Sequence, residues 1–193
     1  MLWVVLVLVA VVLLLVLWLI ALYNRLVRLR NRVDNAWAQI EVQLKRRHDL
    51  IPNLVETVKG YAAHERETFE EVTRARAAAQ QAQGPAQAAV AEGILGQALG
   101  RLFAVAEAYP ELKANESFLD LQAQLRDTED KIAVSRQVYN DTVLTFDNAI
   151  QTFPAVMLAT TLGFTKREFF EVEDAAQREP PQVSFARGGT TGT

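Results

Sequence analysis

The chain begins with an unbroken apolar run, 2–22, LWVVLVLVAVVLLLVLWLIAL, which contains no charge, glycine or proline. At ~1.5 Å rise per helical residue this run covers roughly 30 Å, the thickness of a bilayer's hydrocarbon core. Trp3 and Tyr23 stand at its ends, where amphipathic rings favour the headgroup level. A buried core helix would keep a polar face, and this run has none. Beyond it the pattern becomes periodic, with Leu26, Val33, Trp37, Ile40 and Leu44 at helical spacing and no Gly or Pro before Pro52. The anchor is therefore expected to run on as one helix into a soluble domain. Pro52 is expected to stop or kink it, because the residue before a proline avoids the α region, and then to open a second helix.

The second helix, 53–83, places Val55, Val58, Ala62, Phe69 and Val72 on one face, and Gly84-Pro85 ends it. A third, 86–108, carries Ala91, Leu95, Ala98, Leu102 and Val105 as one stripe, with Gly93, Gly96 and Gly100 at its edge. Each glycine costs about 1 kcal/mol relative to Ala, which implies close approach of a neighbouring helix. After Tyr109-Pro110, Asn115 or Ser117 can cap a fourth helix. Phe118, Leu121, Leu125, Thr128, Ile132, Ser135, Tyr139, Thr142, Phe146, Ala149 and Phe153 there keep a three-four alternation until Pro154, the period of left-handed coiled packing. Residues 155–172 read as a short docked helix with a turn at Gly163. The stretch 173–193, with Pro180-Pro181 and Gly188-Gly189, reads as a disordered tail. Long amphipathic helices on short connections pack antiparallel. The expected fold is all-α: a single transmembrane anchor (1–23) continuing into an up-and-down four-helix bundle (24–172), followed by the tail.

A cleaved signal peptide is the competing reading of the apolar run. Only Met1 precedes the run, the run is long for an h-region, and residues 20–24 form a poor small-residue cleavage site. An uncleaved anchor fits better. Arg25, Arg28, Arg30 and Arg32 follow it, and the positive-inside rule then puts the N-terminus outside and the bundle in the cytoplasm.

Composition removes most chemistry. The formal net charge is −3, which gives no electrostatic case for nucleic acid. With no Cys there is no thiol nucleophile, disulfide or Cys-based metal site. The two histidines, His48 and His64, lie on different expected helices. His64-Glu65 has Thr68 where a zincin needs its second His, and no Glu-x-x-His of a di-iron bundle occurs. No phosphate-binding glycine fingerprint and no nucleophile elbow is present. Neither an enzyme nor a cofactor is expected.

Two features remain as interaction candidates. Lys45, Arg46 and Arg47 form the sharpest charge cluster. They read either as a dock for an acidic partner or as cations favouring a helix C-terminus, being too far from the membrane along a straight helix for lipid charge to matter. Phe164, Phe169 and Phe170 give 155–172 more aromatic surface than it needs to cover itself, as an interface between protomers would; packing across the protomer's own bundle end is the competing reading.

The strings YNRLVRLRNRVDNAWAQIEVQLKRRHDLIPNLVETVKGYAAHE and YPELKANESFLDLQAQLRDTEDKIAVSRQVYNDTVLTFDNAIQTFP, continued by GFTKREFFE, closely resemble the LemA family from residue 2 to about 172. The resemblance implies a bacterial inner-membrane protein with one span, an extracytoplasmic N-terminus and a cytoplasmic helical bundle, and no established catalysis or cofactor. The leading expectation is a non-catalytic, membrane-tethered scaffold that self-associates, held in lipid by 2–22. The alternative is an accessory or regulatory subunit of a membrane protease or transporter in envelope stress, with a membrane protein as partner.

Overall fold

The structure, a computed structural model, describes residues 1–171, and the expected disordered tail lies outside them. The described residues are helical without strands. The order is α1 (Leu2–Lys59), α2 (Arg66–Gln81), α3 (Gly84–Glu107), α4 (Pro110–Lys113), α5 (Glu116–Gln151) and α6 (Val156–Ala159). An extended segment, 164–171, follows.

The largest departure from expectation is at Pro52. It lies inside α1, which continues to Lys59, so 53–59 belong to the first helix and α2 begins only at Arg66. Proline lacks the N–H that would bond the carbonyl four residues back, that of His48. Arg76 of α2 supplies the missing donor: its Nε bonds the His48 carbonyl oxygen at 2.7 Å. The helix breaks instead at 60–65, where Tyr61 and Ala62 N–H both bond the Val58 carbonyl and Ala62 is buried as a plug.

The remaining boundaries follow from the sequence. Asn115 caps α5, its Oδ1 accepting from the Phe118 N–H at 3.0 Å, and its Nδ2 donates to the Tyr61 hydroxyl at 3.1 Å. All the α5 stripe positions from Phe118 to Ala149 are buried or half-buried. Phe153 is the exception at 78% exposed, because α5 ends at Gln151 and the stripe's geometry ends with it. Gly163 takes a left-handed φ of 78°, which L side chains avoid. There the Phe164 N–H bonds back to the Ala159 carbonyl at 2.9 Å, and the chain turns into its extended segment.

That segment runs as a strap held by three residues of α5. The Tyr139 hydroxyl donates to the Glu168 carbonyl at 2.7 Å. The Asn140 amide brackets Phe170, accepting from its N–H at 3.0 Å and donating to its carbonyl at 3.2 Å. Asp147, buried on the core side, accepts the Arg167 N–H at 3.1 Å. Phe170 stacks against Trp37 of α1, with ring centroids 5.7 Å apart, and Trp37 meets Tyr139 at 5.5 Å.

Two apolar cores result. One joins Leu26–Leu44 of α1 to Ile132–Ile150 of α5 and the strap's Phe164 and Phe170. The other joins Ile51–Val58 of α1 to α2, most of α3, Leu112, Phe118 and Leu125. All of residues 2–22 except Leu19 and Leu22, which are half-buried, are exposed.

Candidate functional site

Between the two cores lies a polar layer. On α1 the buried positions Ile40, Leu44, Arg47, Ile51, Leu54 and Val58 alternate by four and three; on α3 the same holds for Ala88, Glu92, Leu95, Leu99, Leu102 and Ala106. Arg47 and Glu92 thus occupy core registers, and they face each other. Arg47 Nη1 donates to Glu92 Oε2 at 3.1 Å, and His48 Nε2 lies 2.5 Å from Glu92 Oε1. A carboxylate only accepts, so His48 Nε2 carries the hydrogen of that bond. Thr128 of α5 is also fully buried and turns its hydroxyl onto the Leu125 carbonyl at 2.7 Å. Each Glu92 oxygen is occupied by one donor, which satisfies an otherwise costly buried charge.

The layer opens to the surface through a groove of about 260 Å³ lined by Arg47, Glu92, Gly93, Gly96, Glu129 and Arg136, among others. Gly96 and Gly100 of α3 therefore do not mark a tight helix crossing. A Cβ on Gly96 would meet only the Arg47 guanidinium, at 3.8 Å, and one on Gly100 would meet nothing within 4 Å. Small residues there leave room for the Arg47 head instead. Among the described residues no group of three or more His, Asp or Glu is placed to hold a metal.

The basic trio does not form one patch. Successive helical residues diverge by about 100°, so Lys45 and Arg46 are exposed while Arg47 is buried in the layer. Lys45 Nζ bonds Asp49 at 2.6 Å, a contact that holds the exposed Asp49 carboxyl below its usual pKa; Lys131 does the same for Asp127. Nor do these cations sit at a helix C-terminus, since α1 continues past them.

The three phenylalanines are also placed differently from the interface reading. Phe164 and Phe170 are each 3% exposed within their own chain, and Phe169 is half-buried. The strap spends its aromatic surface on the α1/α5 core, against Tyr23, Trp37 and Phe146. Burial pushes the Tyr139 phenol pKa up to about 12.

The sequence reading singled out neither Glu92 nor Arg76, found no role for His48 and took Thr128 only as a stripe position. For Arg47 the signal was present, a charge in step with the α1 stripe, whereas Glu92 falls one residue off the stripe read from sequence on α3. Arg76 had no local signal, because its partner lies 28 residues away.

These features define a helical protein whose first helix carries an apolar run long enough to cross a membrane and whose core is divided by a buried ionic layer. The chain belongs to the LemA family, whose profile matches residues 36–185; the match starts beyond the apolar run and extends past the strap. It is 29% identical over 179 residues to magnetosome protein MamQ of Magnetospirillum gryphiswaldense, covering 79% of this chain and 66% of that protein. It is 28% identical to magnetosome protein MamQ 2 of Paramagnetospirillum magneticum, with the same coverage. Against protein LemA of Metamycoplasma hominis it is 26% identical over 152 residues, covering 78% of this chain and 69% of that one. The chain thus spans a little under two thirds of the length of the magnetosome proteins it matches.

Proposed function

We propose that this protein is a non-catalytic scaffold, tethered by residues 2–22 in a bacterial inner membrane, whose helical domain presents its faces to copies of itself. The observation that carries the tether is the run's mean hydropathy of 3.5, with none of it buried in the structure. Such a surface needs a hydrocarbon solvent. α3 also passes a length-and-hydropathy test for crossing a membrane, but it is partly buried and carries Glu92 on its buried face.

The meeting of Tyr61 with Asn115 and of Trp37 with Tyr139 supports an antiparallel arrangement of α1 and α5, and hence a four-helix bundle with α2 and α3. The four-arginine flank of the run supports a cytoplasmic bundle and an external N-terminus. With the aromatic strap internal, self-association rests on other surfaces: the exposed aliphatic pairs Val90/Ile94 of α3 and Val134/Val138 of α5, together with the concentration of copies in one membrane.

Mass measurement of the full chain in mild detergent tests the assembly. A defined homo-oligomer is expected. A monomer that copurifies with a stoichiometric foreign chain would replace the scaffold by an accessory subunit. For topology, Cys at Met1 should react with an impermeant thiol reagent in intact cells, and Cys at Thr193 only after lysis; the opposite pattern reverses the orientation.

A further inference from the structure

The turn between α5 and the strap carries an apolar surface that the chain does not cover. Phe153, Val156, Met157 and Leu162 are 78%, 48%, 71% and 41% exposed. The turn is nonetheless fixed in place, because Ala155 and Ala159, which alternate with them, are buried in the α1/α5 core. An ordered loop with its large side chains outward and its alanines inward is built to meet something.

Its position says what. Leu22, the last residue of the apolar run, packs against the same core cluster that holds Ala155, Ala159 and Phe164. The Phe164 ring lies 5.8 Å from the Tyr23 ring and 5.5 Å from the Arg30 guanidinium. Leu22 is partly buried against that cluster, so the folded domain reaches the last residue of the run itself. A domain foot that meets Leu22 therefore sits at the bilayer boundary that the Tyr23 ring marks. Charge agrees: from Asn148 to Arg167 there is no carboxylate, and the strap, whose Phe164 lies against Arg30, adds Lys166, two residues on, to the cations that follow the run.

The geometry points to a second membrane contact. Resting on the reading of 2–22 as a span, the 152–163 turn lies in the interface of the same leaflet. There it places Phe153, Met157 and Leu162 among the upper acyl chains, with the arginines that follow the run and Lys166 of the strap facing anionic headgroups. Depths of about 5–10 Å are usual for such interfacial elements. The partner is lipid, contacted beside the anchor.

The absence of native Cys allows a direct test. Full-length single-Cys variants Val16→Cys, Met157→Cys, Leu162→Cys and Val134→Cys, each at an exposed side chain, would be labelled with an environment-sensitive fluorophore. They would then be reconstituted in phosphatidylcholine–phosphatidylglycerol vesicles containing lipid spin-labelled high on the acyl chain. The probes at 157 and 162 should emit to the blue and lose most of their emission to the spin-labelled lipid, whereas the probe at 134 should keep its emission. Quenching at 16 with none at 157 and 162 overturns the foot while leaving the span. No quenching at 16 overturns the span, and the foot with it. Copy-to-copy excimers of a pyrene label at 157, without lipid quenching, would give this face to a second protomer and overturn the lipid assignment.

Discussion

Arg76 donates to the carbonyl of His48, the one acceptor in α1 that Pro52 leaves without its helical N–H. A side chain on the neighbouring helix thus completes a backbone ladder that proline interrupts, and the cost of proline inside a helix, about 3 kcal/mol or more, is partly offset from outside.

This coupling is measurable. Arg76→Ala should cost about 1–2 kcal/mol, the usual penalty for a buried acceptor that loses its donor. In a Pro52→Ala background the backbone N–H restored at that position can bond the His48 carbonyl, and the same Arg76 substitution should cost well under about 1 kcal/mol. Urea denaturation of the four proteins gives the coupling energy, and additivity would show that Arg76 does not serve the proline gap.

Glu92→Ala leaves Arg47 and His48 buried without their acceptor and should destabilise by about 3–5 kcal/mol. Replacing the set together, Arg47→Met with His48→Leu and Glu92→Leu, should return stability to within about 2 kcal/mol of the parent. If the single substitution melts at the parent's temperature, the layer is open to water rather than buried.

Asn140→Ala removes both bonds to Phe170 and should free the strap while leaving the helices folded. Trypsin should then cut after Lys166 and Arg167 faster than in the parent, with far-ultraviolet circular dichroism unchanged. Asn148→Ala, an exposed change on the same helix, serves as control and should leave the cleavage rate alone.

Tyr139 makes the base limb of stability informative. The phenol loses its proton near pH 10 in an unfolded chain and near 12 in the fold. Its contribution is therefore complete below about pH 10 and fades as pH rises through about 12, because the phenolate cannot donate to the Glu168 carbonyl. Tyr139→Phe should flatten the loss of stability between those values, followed by denaturation midpoints against pH. An unchanged slope would mean that the hydroxyl reaches solvent.

Local pattern accounts for most of what was readable in the chain. The heptad stripe of α5 and the Asn115 cap are properties of short sequence windows, and both appear where expected. What failed depended on distant partners. Pro52 reads as a helix end unless Arg76 is known to reach its gap. Phe164 and Phe170 read as surplus aromatic surface until the Gly163 turn and the Asn140 bracket lay them over the α1/α5 core, Phe164 on Tyr23 and Phe146 and Phe170 on Trp37. Arg47 read as one of an exposed basic trio and Glu92 fell one residue off the α3 stripe, because hydropathy treats any charge as a sign of solvent and only the facing of the two helices shows that these two charges meet in the core.

The continuity of α1 has a mechanical consequence. From Tyr23 to Lys59 it extends about 54 Å with no intervening loop, so the domain has no joint at its base on which to turn. Membrane helices commonly lean by about 20° from the bilayer normal, and such a lean would sweep the far tip roughly 18 Å sideways. Whatever fixes the lean at the bilayer, the interfacial Tyr23 and the arginines beside it included, would then decide where in the surrounding space the distal end is held.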